Sequence, residues 1–214
     1  MEELKRCKRK SFVFKADFEK TFDSLNWQYL LTVLELKGFG VKWRSWILSY
    51  LKSASISVLV NGSPTKEFSL MRGVRQGNPL SPYLFILATE GPSLLTKKAI
   101  EKRLYKGVEI GTDKVMVSHL QYADDTIFFG DWSKNNAKNL MKLLMCFEKI
   151  SGLKVNLSKS CLYQVGVSIE SVESLASVLG CNMDKFPISY LDLPIGSQMN
   201  KVKDWIPFIE NNSK

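Results

Sequence analysis

The segment LQYADDTIFFGD, which begins at Leu120, sets Asp124 and Asp125 side by side between apolar runs. Like charges repel, and a carboxylate near an apolar core is costly to desolvate. A third acid, Asp17, follows another apolar run, SFVFKAD. If the strands carrying these residues are neighbours, Asp17, Asp124 and Asp125 converge at one end of a sheet. Three carboxylates there repel unless divalent cations bind between them. Their hard oxygens suit Mg²⁺, which keeps several waters and takes phosphate oxygens as further ligands. Two such ions activate an attacking hydroxyl and stabilise a leaving pyrophosphate during in-line displacement. Either piece alone has a plainer reading. An Asp-Asp pair in a turn is usually a solvated cap, and an aspartate at a strand end is commoner still.

The elements that must position these acids follow from local pattern. SFVFKADF (11–18) reads as a buried strand ending at Asp17. Asp23 or Ser24 is expected to cap a helix with Trp27, Leu30, Leu31 and Leu34 on one face and Gly38 at its close. A second helix would carry Trp43, Trp46, Ile47, Tyr50 and Leu51 on one face. SISVLV and TKEFSL flank NGSP and predict a β-hairpin. A helix is expected from about Ser81 to about Lys98, kinked or split by Pro92. Residues 106–130 alternate strands and turns, with the Asp pair at a tight turn. Residues 134–150 form an amphipathic helix, with Leu140, Leu144 and Phe147 inward and Lys134, Lys138, Lys142 and Lys149 mainly outward. SGLKVNLSKSCLYQV reads as a turn and then a strand or hairpin. A short helix follows, capped by Ser168 and ended by Gly180, and then a last short strand in FPISYLDLPIG. Helices and strands interleave, and the hairpins point to an α+β fold with a largely antiparallel sheet.

Bulk composition frames this. The chain has 214 residues, with 45% hydrophobic and 24% charged, ordinary for a folded protein. Its net charge of +9 favours a polyanionic partner such as nucleic acid. Cys7, Cys146, Cys161 and Cys181 form no CxxC pair, and His119 is the only histidine, which argues against a zinc site. Reduced, mostly buried thiols in an intracellular protein are expected. The apolar stretches fall far below the roughly 18 residues of a membrane span. MEELKRCKRK lacks the apolar core of a secretory signal.

The combination of segments carries more than any one of them. In order and spacing, FKADFEKTFDSLNW, RGVRQGNPLSPYLFIL, HLQYADDT, GLKVNLSKS and YLDLPIG resemble successive motifs of reverse transcriptases from LINE-type (non-LTR) retrotransposons, particularly those of plant genomes. The resemblance spans roughly residues 2–196. It implies a palm-type antiparallel sheet packed by helices, within a right-hand reverse transcriptase fold. It further implies RNA-directed DNA synthesis that uses two Mg²⁺ ions (Mn²⁺ as an alternative), an RNA template, a DNA primer and deoxynucleoside triphosphates. Asp17, Asp124 and Asp125 would be the catalytic, metal-binding carboxylates, with the Phe18 carbonyl as a further ligand. Phe22 resembles the aromatic gate beneath the incoming sugar, and a core aromatic is the plainer reading. Gln76 and Gly77 resemble residues that contact the nucleotide and template. Lys159 or Lys154 would lie near the triphosphate. Arg72 and Arg75 are candidates for phosphates. Tyr122, in the YADD segment, and Leu191, in the primer-gripping hairpin, are candidates for nucleic-acid contact.

Some positions depart from the family pattern. Asn78 stands where Asp is usual, Thr21 where Ala is usual, Asp192 where Gly is usual, and Pro92 falls in a helix that is normally continuous. The expected organisation is a partial reverse transcriptase domain over 1–214. Residues 1–10 would be a basic helix end, and 197–214 the start of a truncated C-terminal region. Most of the fingers and the thumb are expected to be absent, which would leave the chain alone impaired. Two other readings stay open: a non-catalytic nucleic-acid-binding remnant, and another palm enzyme such as a nucleotide cyclase. No membrane association is expected. An intracellular, nuclear-compatible location fits, and the oligomeric state is left open.

Overall fold

The computed structural model describes residues 10–123, 125–191 and 193–196. The first elements are β1 (Ser11–Ala16), β2 (Phe18–Glu19), α1 (Thr21–Ser24), α2 (Trp27–Leu36) and α3 (Val41–Lys52). Four short strands follow: β3 (Ser55–Ile56), β4 (Leu59–Val60), β5 (Ser63–Pro64) and β6 (Phe68–Ser69). Then come α4 (Ser81–Ala88), α5 (Glu90–Glu101), β7 (Val108–Ile110), β8 (Val115–Val117), β9 (His119–Tyr122) and β10 (Asp125–Asp131). The C-terminal part holds α6 (Lys134–Ser151), β11 (Lys154–Val155), β12 (Cys161–Val165), α7 (Ile169–Leu179), β13 (Asn182–Met183), β14 (Ile188–Tyr190) and β15 (Leu193–Ile195). The chain divides into two compact units. One draws on the described residues of 1–17, 99–141 and 156–214, the other on 18–98 and 142–155.

The first unit is built on a five-stranded sheet in the order β13-β12-β1-β10-β9. Every pairing is antiparallel except β12 with β13. Strand β1 is central, and Phe12, Val13, Phe14 and Ala16 are all buried. A central strand covered on both faces needs apolar side chains of both parities, which SFVFKA supplies. Burying each Phe stabilises the fold by roughly 1.5–3 kcal/mol. Phe12 sits opposite Gly130. A Cβ at Gly130 would lie 2.2 Å from the Phe12 ring, so this glycine makes room for the aromatic. On one face Val13, Ile127, Phe129, Tyr163 and Val165 cluster with Ile188 of the β14–β15 hairpin. Tyr105 is buried in the same unit and donates its hydroxyl to the Phe129 carbonyl at 2.6 Å.

The second unit is mainly helical. In α2 the buried residues are Trp27, Leu30, Val33 and Leu34, so the expected stripe holds at three positions, while Val33 is buried and Leu31 only half-buried. Its cap differs from expectation. Asn26 accepts from the Tyr29 amide at 3.0 Å, while Asp23 and Ser24 lie in the preceding turn of helix, α1. The tight turn between α1 and α2 puts the capping position three residues later than Asp23. Gly38, at φ 85, follows the last turn, and its amide bonds Glu35. In the latter half of α6, Leu144 and Phe147 are buried. Phe147 meets Phe18 and Tyr29 edge-on, with ring centroids 6.2 and 6.0 Å away.

Other expectations fared variously. The 81–98 helix is split at Thr89 into α4 and α5, with Pro92 in the first turn of α5, where its missing N–H costs nothing. The hairpin around NGSP forms, with Asn61 and Gly62 both at positive φ between paired Val60 and Ser63. The aromatic half of the α3 stripe is not core: Ile47 and Leu51 are buried, but Trp43 and Trp46 are more than half exposed. The helix buries a strip too narrow to include them. The last element is the hairpin that the resemblance implied, with Tyr190 paired to Leu193, rather than the single strand expected from local pattern. The thiols also differ from expectation, since Cys146 is exposed and Cys161 and Cys181 are half-buried. Among the described residues no helix is long and apolar enough to cross a membrane.

Candidate active site

Asp17 and Asp125 reach the same end of adjacent strands. Register pairs Ala16 with Thr126, so Asp17 follows one member of that pair and Asp125 precedes the other. Both acids are half-buried. Side chains alternate along β10, so Asp125 shares the face of Ile127 and Phe129, which the β14–β15 hairpin covers. Strand β1 ends at Ala16, one residue before the expected end, which puts Asp17 between β1 and β2. Two residues join Tyr122 to its partner Asp125, and the first, Ala123, has φ 52. That conformation costs an L-residue roughly 1–2 kcal/mol, and such strain collects at functional sites. Asp124 itself lies outside the described residues, as does Asp192. Among the described residues no group of three or more His, Cys, Asp or Glu could hold a metal ion.

The hairpin is tied close to these acids. Lys15 donates to the Ser189 carbonyl at 2.7 Å. The phenol of Tyr190 is pushed up by burial and then by the charge of Asp125. Leu191 is exposed at φ 50 in the turn. Tyr122 is 66% exposed, so its ring is open to a partner.

The loop Asn156–Ser160 grips the backbone of Asp17. The Asp17 amide donates to Ser160 Oγ at 3.1 Å, and its carbonyl accepts from the Asn156 amide at 2.7 Å. Lys159 lies on this loop and is exposed, with its amide bonded to Asn156. Lys154 is instead paired with Glu19 at 3.4 Å. Sequence reasoning named the lysines but missed Asn156 and Ser160. The spacing of polar residues in VNLSKS was the only available signal.

The remaining candidates belong to the second unit. Phe22 is half-buried and stacks on Phe85, with centroids 5.0 Å apart and planes at 25°. Its carbonyl accepts from Val74 at 2.7 Å, and Gly73 donates to Leu25 at 2.7 Å. Gly73 (φ +81) was not singled out from the sequence. A Cβ there would lie 2.7 Å from the Asp23 carbonyl oxygen and 2.8 Å from that of Phe22. An open cleft of about 770 Å³ is lined in part by Asp23, Ser53, Arg72, Arg75 and Gln76. Arg75 bonds Ser53 Oγ at 3.3 Å and lies over the Tyr50 ring. Gln76 and Gly77 are exposed, and Gly77 has φ +80. Phe18 lies in β2, opposite Val155.

Comparison with known proteins agrees with these motifs. An uncharacterized mitochondrial protein of Arabidopsis thaliana is 36% identical over 108 residues, 50% of this chain and 88% of that protein. A retrovirus-related Pol polyprotein from the type-1 retrotransposable element R2 of Popillia japonica is 29% identical over 77% of this chain, which spans only 22% of that polyprotein. An apo telomerase from Candida tropicalis, truncated from its C-terminal domain, superposes with a TM-score of 0.56 at 19% identity, covering 75% of this chain and 32% of that one. This likeness concerns the fold: mixed helices and antiparallel strands forming part of a reverse transcriptase. The family model for reverse transcriptase (RNA-dependent DNA polymerase) matches residues 1–193. Carrying that domain over nearly its whole length, the chain belongs to the reverse transcriptase family.

Proposed function

We propose that this reverse transcriptase domain performs template-directed nucleotidyl transfer, extending a DNA primer on an RNA template with deoxynucleoside triphosphates. The observation that carries the reading is the meeting of Asp17 and Asp125 at one end of the paired strands β1 and β10. Asp17, Asp124 and Asp125 act as the carboxylates, with the Phe18 carbonyl as a further ligand. The donor set is hard oxygen, which fits Mg²⁺ or Mn²⁺ and not a soft metal. Two bound ions would supply activation of the primer hydroxyl and neutralise charge on the departing pyrophosphate. The residues of the chain bind and orient. Phe22 lies beneath the sugar, Gln76 and Gly77 meet the nucleotide and template, and Lys159 faces the triphosphate. Lys159 is preferred to Lys154 because the latter is paired with Glu19. Arg72 and Arg75 take backbone phosphates, and Tyr122 and Leu191 meet the nucleic acid near the primer end. The whole chain is read as one partial domain of palm type, with 1–10 and 197–214 as its flanks.

The test is primer extension by a polymerase carrying this segment, with Mg²⁺ or Mn²⁺, an RNA template and deoxynucleotides, beside Asp17→Asn and Asp125→Asn. Extension that both substitutions abolish is expected. Extension that survives them would remove the carboxylates from the mechanism. The net charge of +9 favours a second reading, nucleic-acid binding without turnover. Salt-sensitive binding with no synthesis under any of these conditions would select it.

A further inference from the structure

We infer that Ser160 and Asn156 are positioning residues for Asp17, holding its backbone so that its carboxylate meets a divalent cation in a fixed place. This rests on the proposed role of Asp17 as a metal ligand. Strand β1 stops at Ala16, so the amide and carbonyl of Asp17 need partners outside the β1–β10 ladder. The loop supplies both. Ser160 Oγ accepts from the Asp17 amide at 3.1 Å, and the Asn156 amide donates to the Asp17 carbonyl at 2.7 Å.

The loop is itself closed by the same residues. Ser160 Oγ donates to the Asn156 carbonyl at 2.7 Å, and the amides of Lys159 and Ser160 reach that carbonyl at 3.2 and 2.9 Å. The Asn156 side chain adds a bond from Ser158 Oγ at 2.7 Å. Ser160 is fully buried, so water does not compete for its hydroxyl. One hydroxyl therefore bridges the residue that follows β1 and the carbonyl that closes the loop. Neither bond to Asp17 uses its carboxylate. With φ and ψ of Asp17 pinned, only its side-chain torsions remain to be ordered when a cation binds. Outer partners that orient a ligand commonly govern affinity in this way, and their loss costs about 10–100-fold.

The test reads Mn²⁺ affinity of the full chain by water-proton relaxation, with thermal stability measured alongside. Ser160→Ala removes both bonds of the hydroxyl and is expected to weaken Mn²⁺ binding about 10–100-fold. Ser160→Thr keeps the hydroxyl and should restore most of the affinity. Tyr105→Phe, which deletes a buried bond to the Phe129 carbonyl in the same unit, serves as the stability control. It should lower the melting temperature and leave Mn²⁺ affinity unchanged. Asp17→Asn separates the two readings. Binding lost in Asp17→Asn but unaltered in Ser160→Ala overturns the positioning role alone. Equal weakening by Ser160→Ala and Tyr105→Phe also overturns it, since general loosening would then explain the loss. Absent Mn²⁺ binding, or binding that survives Asp17→Asn, overturns the metal role of Asp17 and the positioning role with it.

Discussion

The ammonium group of Lys15 donates to the backbone carbonyl of Ser189 at 2.7 Å, tying the central strand to the β14–β15 hairpin two residues before Asp17. A hydrogen bond from a charged donor contributes about 1.5–3 kcal/mol, and solvent exposure lowers that here. Lys15→Met should keep the stem packed and lose only this tether. Amide hydrogen exchange should then quicken at Ile188 and Tyr190 and stay constant in β1 and β10. Unchanged exchange at the hairpin would mean that Ile188 and the apolar cluster hold it unaided.

Gly73 sets the fit between the RGVRQG segment and the turn that carries Phe22. Gly73→Ala meets two obstacles: φ of +81, and carbonyl oxygens 2.7 and 2.8 Å from the new Cβ. The backbone conformation alone costs roughly 1–2 kcal/mol, and the clash with backbone atoms adds to it. Denaturant unfolding should show the midpoint falling. A variant as stable as the parent would mean that the 72–76 segment shifts freely away from Phe22.

Phe22 stacks on Phe85, so the ring is anchored whether or not a sugar lies above it. Phe22→Ala should destabilise the chain by less than the roughly 3–5 kcal/mol of a fully buried phenylalanine, because the ring is only half-buried. In a polymerase carrying this segment it should also relax discrimination against ribonucleotides. Single-nucleotide incorporation with matched ribo- and deoxynucleoside triphosphates measures this. Intact selectivity would leave Phe22 as a packing residue.

His119 has its affinity for a proton lowered by burial. Its Nδ1 lies 2.9 Å from Ser118 Oγ, and its ring rests 6.2 Å from that of Phe128. The folded state thus prefers the neutral imidazole, and the unfolded chain binds the proton more readily. The contribution to stability is complete above the unfolded value of about 6.5 and is lost as pH falls from there toward the lower folded value. Melting temperatures of the parent and His119→Gln, compared between about pH 7.5 and about pH 5.5, should drop further for the parent. Parallel drops would assign the acid sensitivity to carboxylates.

The sequence by itself determined the elements whose periodicity was strong. The Phe- and Val-rich run SFVFKA signalled a buried strand, and the sheet order made it central. The stripes Leu30–Leu34 and Leu140–Leu144–Phe147 fixed two helices, and each of these residues is buried. The acids Asp17 and Asp125 stood out in the sequence because each adjoins an apolar run, and strand register brings those two strand ends together. Tertiary structure decided what depends on partners distant in the chain. Asn26 rather than Asp23 caps α2, and Trp43 and Trp46 lie outside the core, because side-chain pattern does not reveal how wide a face the neighbours cover. Gly73 and Ser160 carry no periodic signal, since their roles are set by single backbone atoms of Phe22, Asp23 and Asp17 brought near by folding. Hydrophobic spacing encodes which face is buried. The partner of an individual hydrogen bond is encoded nowhere locally, and long-range register alone placed Asp17 beside Asp125.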